Sequence, residues 1–313
     1  MKLSKAVKAQ AFLRMGVTGP AGSGKTWTAL EVARGLKPAA RIAVLDTEMG
    51  SASKYADAFD FDVVEVAHYK PQVVLDFLSL CEREGYDVAI IDSVSPFWNG
   101  PGGFLEMVDD EVARAKSRNG KADTFAAWKP VDATYSRWVL SVLASKVHVI
   151  FTIRSKMAYE STRVDGRTSI AKLGMAPICR DTFPYELDVV LDMDADHVGV
   201  VSKTRVHGLD DQAHRRPGAD FAGRLAAWLS SGPPPQPPQT VHDPSWEADK
   251  GRFFAALTGL NLDYEALCAE LAAMTPPRPR PSAMPQEARA RLVGWLRDRA
   301  AKAEAADAPA EAR

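Results

Sequence analysis

The chain has only three cysteines, Cys81, Cys179 and Cys268, in 313 residues. Their number is odd and their spacing wide, so neither a disulfide framework nor a zinc pattern is present. No uninterrupted apolar run reaches 18 residues, so no membrane-spanning helix and no membrane partner are expected. The basic start Met1-Lys2-Leu3-Ser4-Lys5 is not followed by an apolar stretch ending in small residues. That argues against a secretory leader and makes the cytoplasm the expected location. Net charge is also lacking: 39 Lys and Arg stand against 40 Asp and Glu. A global basic field for nucleic acid is therefore excluded, and any such site must be local. The six histidines show no metal-ligand spacing, and no internal repeat is visible.

What is present is an ordinary globular composition, 46% hydrophobic and 25% charged. Short apolar runs lie at Phe12–Val17, Ile42–Leu45, Val63–Val66, Val88–Ile91, Val147–Ile153, Leu187–Leu191 and Val198–Val201. Helical patterns fall between them, at Lys25–Leu36, Gln72–Glu84, Phe104–Ser117 and Ala127–Ser145. Alternation of buried-type strands with helices predicts an α/β core with a mainly parallel sheet over residues 1–230. The last two strands are joined by the short Asp192–Asp196 turn, which predicts an antiparallel hairpin at the sheet edge. Residues 231–243 hold Pro233-Pro234-Pro235-Gln236-Pro237-Pro238 and read as a linker. A small helical module follows over 244–313, with helices at Trp246–Leu257, Tyr264–Met274 and Pro285–Lys302. Phe253, Phe254, Leu257, Leu260 and Leu267 are its candidate core, and Cys81 is expected in the core of the first domain.

Gly19-Pro20-Ala21-Gly22-Ser23-Gly24-Lys25-Thr26 fits G-x-x-x-x-G-K-[ST], with an apolar strand before it and a helix after it. In such a loop the backbone N–H groups curl around phosphates at a helix N-terminus. Lys25 is placed to reach the β- and γ-phosphates and Thr26 to ligate Mg²⁺. Val88–Ile91 is a buried-type strand ending in Asp92, the Walker B arrangement, which brings one carboxylate beside the loop, where it can hold Mg²⁺ through water. Ile42–Leu45 ends in Asp46-Thr47-Glu48. A carboxylate there can polarise an attacking water, and both Asp46 and Glu48 qualify.

The order of these parts resembles the RecA-type recombinase core: phosphate loop, strand with D-x-E, strand with Asp-Ser. Within that group the chain looks most like the small phage-encoded RecA-like ATPases of the Sak type. Those proteins partner single-strand DNA-binding and annealing proteins. The resembling pieces are Glu48-Met49-Gly50-Ser51 with Tyr55, Phe151-Thr152-Ile153-Arg154-Ser155-Lys156 with Tyr159, Tyr185-Glu186-Leu187-Asp188, and Lys203-Thr204-Arg205. They extend over about residues 10–210. The resemblance implies a RecA-like P-loop NTPase core using ATP and Mg²⁺, with Glu48 rather than Asp46 as the catalytic carboxylate. It implies nucleotide contacts from Thr152 and Arg154, which stand where RecA recombinases carry a glutamine. It implies that Lys203 and Arg205 reach a neighbour's γ-phosphate, so that the protein is a ring or filament. A phage-encoded protein of this kind works in the host cytoplasm.

Three basic or aromatic segments are candidate DNA contacts. Arg154–Lys172 is a polar, turn-rich stretch with Arg163, Arg167 and Lys172, open to reading as a single-strand-binding loop or as a solvated hairpin. Phe97 and Trp98 either stack on bases or pack under the next helix. Residues 276–302 carry seven Lys and Arg against two acids, a surface for DNA or an acidic partner, or merely a solvated helix. Function is thus expected to be DNA-stimulated ATP hydrolysis on single-stranded DNA in phage-type recombination or annealing. The alternative is a nucleotide-gated loader with negligible turnover that delivers a DNA-processing partner. GTP is disfavoured because no N-K-x-D segment occurs, and ABC transport because no L-S-G-G-Q segment occurs.

Overall fold

A parallel strand buried on both faces needs a nearly continuous apolar sequence, and four of the short runs provide one. The computed structural model describes residues 5–119, 124–164, 167–234, 245–260, 262–274 and 279–307. The chain runs β1 (Arg14–Gly19), α1 (Lys25–Leu36), β2 (Ile42–Asp46), β3 (Asp62–Glu65), α2 (Gln72–Glu84), β4 (Val88–Asp92), α3 (Ser95–Asn99), α4 (Phe104–Asn119) and α5 (Thr124–Ala144). It continues through β5 (His148–Val164), β6 (Arg167–Pro177), α6 (Phe183–Glu186), β7 (Val189–Met193), β8 (Val198–Thr204), β9 (Ala213–Arg215) and α7 (Ala219–Ser230). The sheet order is β3-β2-β4-β5-β1-β7-β8-β9, with β6 paired to β5 outside that path. Pairing is parallel from β3 through β7 and antiparallel for β7–β8 and β8–β9.

Helices cover both faces of this sheet. On one, Phe77, Leu78, Phe104, Trp138 and Val142 pack over Ile91 and Phe151. On the other, Leu30, Val32, Phe221 and Leu225 pack over Val44, Ile90 and Leu191. The result is a mixed α/β fold with a mainly parallel central sheet, in which β5 lies between the phosphate-loop strand and the strand ending in Asp92. Cys81 is buried, as expected. None of the described helices is long and apolar enough to cross a membrane.

One local expectation is corrected, and two segments with two readings each take one of them. The β7–β8 hairpin is not the sheet edge, because β9 pairs along β8 from Val198 to Val200. The segment open to reading as a loop or a hairpin is a long antiparallel ribbon, β5 paired to β6 from Ser155–Pro177 to Val164–Arg167. Cross-strand pairing satisfies its backbone, which a loop would have left to solvent. Phe97 and Trp98 do not lie on an open loop: they sit in α3, with Phe97 buried and Trp98 stacked on Trp128 at 6.1 Å.

The chain divides into two compact units, residues 1–235 and 236–313. Residues 235–244, most of the expected linker, lie outside the described residues. The second unit contains α8 (Trp246–Gly259), α9 (Tyr264–Ala273) and α10 (Gln286–Asp307). Its core is Trp246, Phe253, Leu257, Leu267, Leu271, Leu292 and Leu296, whereas Phe254 is 41% exposed and drops out of that list. Among the described residues, three of the seven cations counted over residues 276–302 are paired within the unit. Arg289 is buried and pairs with Asp249 at 2.9 Å, Arg280 pairs with Glu265, and Arg299 with Glu270.

One packing feature couples the first unit to pH. His148 opens β5, and its Nδ1 accepts a hydrogen bond from the Leu13 N–H at 2.9 Å. Burial, reinforced by the Arg14 charge, lowers its pKa from 6.5 to about 4. The folded state therefore holds a neutral imidazole, while the unfolded chain binds a proton below pH 6.5. Stability is fully present above pH 6.5 and is lost as pH falls toward 4, by up to about 3 kcal/mol. In urea titrations from pH 7 to 4.5, the wild type is expected to lose this increment relative to His148→Gln. Parallel pH profiles for the two proteins would contradict the assignment.

Candidate functional site

The parallel register aligns the C-terminal ends of four strands. Asp46 pairs with Asp92 across β2 and β4, and Gly19 pairs with Arg154 across β1 and β5. Everything that follows these strands is delivered to one edge, where open α/β sheets bind ligands. A cleft of about 730 Å³ opens there, within the usual size range of small-molecule sites.

The phosphate loop forms one wall. Gly22 and Gly24 adopt left-handed backbone, with φ of 79° and 87°, a region that disfavours side chains. A Cβ at Gly22 would meet nothing within 4 Å, so its backbone faces open space. The Ser23 hydroxyl is buried with no hydrogen-bond partner among the described residues. Lys25 folds back and donates to the Pro20 carbonyl at 2.7 Å. Burial lowers its pKa, against the nearby charges of Glu48 and Asp92.

Asp92 is 2% exposed. One carboxylate oxygen accepts from the Thr26 hydroxyl at 2.7 Å and the other from Thr152. Burial raises its pKa, and the two hydroxyl hydrogen bonds oppose that rise. Thr26 and Asp92 together present hard oxygen donors suited to Mg²⁺, so the residues present fit a magnesium nucleoside triphosphate. Among the described residues no other cluster of His, Cys, Asp and Glu has the makings of a metal site. Thr152 requires correction. It is fully buried behind Asp92 and acts on any ligand only by positioning that carboxylate.

The two D-x-E carboxylates differ. Asp46 is fully buried, and its oxygens accept from the backbone N–H groups of Glu48 at 2.5 Å and Ala52 at 2.9 Å. It holds the turn and has no open side. Thr47 locks the same turn to the neighbouring strand: its hydroxyl accepts from the Ser93 N–H at 2.8 Å and donates to the Ser93 carbonyl at 3.0 Å. Glu48 is thereby aimed into the cleft, where it pairs with Arg154 at 2.7 Å. Burial pushes the Glu48 carboxyl up, but Arg154, Ser93 and Lys25 together outweigh that and leave it below its usual value.

The structure thus gathers Ala21, Gly22, Gly24, Lys25, Thr26, Glu48, Asp92 and Arg154 around one cleft. It does not bring Lys203 and Arg205 there. Val190 pairs with Lys203 and Val189 with Thr204, while Met15 pairs with Val189. Both cations therefore lie at the N-terminal end of β1, opposite the phosphate loop. Arg205 pairs with Asp188 at 2.7 Å, and Lys203 donates to the Tyr185 carbonyl at 3.1 Å. Arg163, Arg167 and Lys172 lie on the ribbon. Their backbone pairing is described, whereas their side chains lie outside what the structure describes.

Trp27, Tyr55, His197 and Arg216 are among the further residues that line the cleft and to which sequence reasoning gave no role there. Trp27 follows the phosphate-loop motif directly and packs edge-on against Tyr55 at 5.8 Å. Its neighbour position was the available signal. His197 and Arg216 come from the far side of the sheet and share no motif with the loop.

The Glu48–Arg154 pair generates a pH prediction. Arg154 favours the ionised carboxylate, so Arg154→Ala should raise the Glu48 pKa. Hydrolysis needing ionised Glu48 would then fail at a higher pH, and the acid limb of the kcat profile should move up. An acid limb unmoved in Arg154→Ala would show that another group controls it.

A family model described as an AAA domain matches residues 11–216. Comparison with curated proteins finds no match. One similar solved structure is the crystal structure of a KaiC-like protein from the hyperthermophilic archaeon Pyrococcus horikoshii OT3. It is 13% identical, with a TM-score of 0.36, covering 66% of this chain and 87% of that one. That likeness is too distant to bear on the site. The family match spans the phosphate loop, both carboxylate strands, the ribbon and the sheet through β9. The chain belongs to the AAA-domain family and carries the phosphate loop of a P-loop nucleotide-binding domain.

Proposed function

We propose that the protein hydrolyses ATP in a site shared between subunits and couples hydrolysis to single-stranded DNA, in recombination or annealing of the phage type. The observation that carries this reading is the meeting of Lys25, Thr26, Asp92 and Glu48 in one cleft whose wall is the root of a basic ribbon. Glu48 takes the proton of the attacking water as its oxygen bonds to the γ-phosphorus. The bond to the β–γ bridging oxygen breaks, giving ADP and phosphate. Lys25 neutralises charge on the β- and γ-phosphates. Thr26 and Asp92 hold Mg²⁺, which supplies charge stabilisation when bound.

Position favours action of Lys203 and Arg205 in trans. Four residues of strand, about 13 Å at 3.3 Å per residue, separate their row from the end of β1. They therefore cannot serve their own phosphate loop, and the reading has them serve that of a neighbouring copy. For DNA, the ribbon register sharpens the expectation. Positions 159, 163 and 172 fall on one face, through the pairs Tyr159–Lys172 and Arg163–Thr168. Position 167 falls on the other face, opposite Val164. Tyr159, Arg163 and Lys172 form the proposed DNA face, combining one stacking ring with two cations. A single-strand DNA-binding or annealing protein is the proposed partner.

The Glu48–Arg154 pair also favours the second reading, a nucleotide-gated loader. With its base held by a guanidinium, the chain alone would turn over little ATP. Steady-state hydrolysis with and without single-stranded DNA separates the two. Stimulation supports the ATPase, and negligible turnover in both conditions supports the loader.

Three outcomes are expected from variants. Lys25→Ala should abolish most nucleotide binding, while Glu48→Gln should bind ATP and lose roughly 10²-fold in hydrolysis. Arg163→Ala with Lys172→Ala should flatten the salt dependence of DNA binding by up to about two units of slope, and Arg167→Ala should change it less. Lys203→Ala/Arg205→Ala protein, inactive alone, should regain part of its activity when mixed with Glu48→Gln protein. Co-assembled mixtures as inactive as their parents would rule out the shared site.

A further inference from the structure

The cleft is lined from both sides of β1. Glu48, Asp92 and Arg154, where the phosphates would react, come from β2, β4 and β5, whereas His197 and Arg216 line it from the other side, after β7 and β9. His197 ends the turn between β7 and β8, and Arg216 follows β9 directly. Both are non-glycine residues in left-handed backbone, with φ of 61° and 47°. Such conformations are costly for residues with side chains and persist only where the surroundings enforce them.

Here the surroundings do so. The Asp194 carboxylate accepts from the N–H groups of Asp196 and Val198, both at 2.9 Å. The Arg216 N–H donates to the His197 carbonyl at 2.8 Å, joining the two residues into one corner. This corner lies along α1. A Cβ at Gly24 would stand 3.1 Å from His197 Nδ1, and one at Gly218 would stand 3.9 Å from a Glu31 carboxylate oxygen. Gly24 and Glu31 are seven residues apart and so share a helix face. Arg216 lies in the chain between His197 and Gly218, the residues that make these two contacts. Its guanidinium has no hydrogen bond or ion pair among the described residues, in contrast to Arg154.

A triphosphate seated at the N-terminus of α1, with its γ-end toward Glu48, sends its nucleoside away from Glu48. We infer that His197 and Arg216 form the nucleoside-reading corner of the site, contacting ribose and base rather than phosphate. A guanidinium is planar and stacks on aromatic rings, and it donates hydrogen bonds to ring nitrogens. The imidazole, packed on Gly24, closes the ribose side. The inference rests on the ATP-binding reading above and assigns the part of the site that discriminates a nucleotide from a bare polyphosphate.

The test compares magnesium ATP with magnesium tripolyphosphate, each titrated calorimetrically into the full-length chain. Arg216→Gly and His197→Asn are the variants, because glycine and asparagine accept left-handed backbone. Each should weaken ATP at least 10-fold and leave tripolyphosphate within twofold of wild type. Retained tripolyphosphate binding shows that the variant is folded. Arg216→Lys, which keeps the charge without the plane, should resemble Arg216→Gly. Equal losses for both ligands in a variant with wild-type thermal stability would make the corner a phosphate contact and overturn the inference. So would ATP affinity unchanged from wild type. Wild-type protein that binds neither ligand, or binds ATP as well after Lys25→Ala, would instead overturn the underlying reading of the site.

Discussion

The buried carboxylate of Asp92 holds the working edge of the sheet together. It closes β4, accepts from Thr26 on the first turn of α1 and from Thr152 on β5, and so joins three elements at one point. Burial alone would drive this acid toward its neutral form, and the two hydroxyls are what make a charged state tolerable. Removal of either hydroxyl leaves a buried acceptor short of a partner. Removal of the acid strands two donors. The orientation of α1, and with it the phosphate loop, therefore depends on a group that also serves as a magnesium ligand in the proposed reaction.

From that point the site divides its labour. The Asp92–Ser93 segment grips Thr47, so β4 positions the turn after β2 through backbone and hydroxyl contacts. Asp46 spends both oxygens on the same turn. Glu48, two residues on, is the one acid of the D-x-E segment directed into the cleft. Its partner Arg154 is the residue at which β5 leaves the sheet and becomes the ribbon, where Ser155 pairs with Pro177. A displacement of the ribbon root and a change in the charge facing Glu48 are therefore the same event in this geometry.

Legibility followed the locality of the signals. The phosphate loop, its strand and α1 were readable because glycine placement, one lysine and an apolar run all lie within a few residues. The bounds of α1 and α2 coincide with the periodic segments Lys25–Leu36 and Gln72–Glu84. The ribbon stayed open between loop and hairpin because its sequence is polar, and in a two-stranded arm cross-strand pairing replaces apolar burial as the signal. Phe97 stayed open between stacking and packing because glycines follow it; it packs edge-on with Tyr69, which comes from a distant part of the chain. The basic count of α10 does not show which cations are free: Arg289 serves the core, paired with Asp249 some 40 residues earlier. His197 and Arg216 reach the cleft only through the β7–β8 and β9 connections, and no spacing rule links them to Gly24.

The sheet also separates two sets of charge. The carboxylates of Glu48 and Asp92 and the phosphate loop lie at the C-terminal ends of the parallel strands, whereas Lys203 and Arg205 lie at the opposite end. Asp188 connects that end to the core, accepting from the Arg14 N–H at 2.9 Å and from Arg205. Arg14 is itself buried, its guanidinium satisfied by carbonyls of Val142, Val147 and Ser145 at the end of α5. The cation pair is thus mounted on a fully hydrogen-bonded corner rather than on a loose edge. A rigid mount is of little use for charges that only keep a sheet soluble. It is what a group requires to meet a transition state on another molecule, because a cation stabilises developing charge only if its position is set beforehand. On the proposed reading, the distance that disqualifies these residues within their own subunit is what makes assembly a condition of activity.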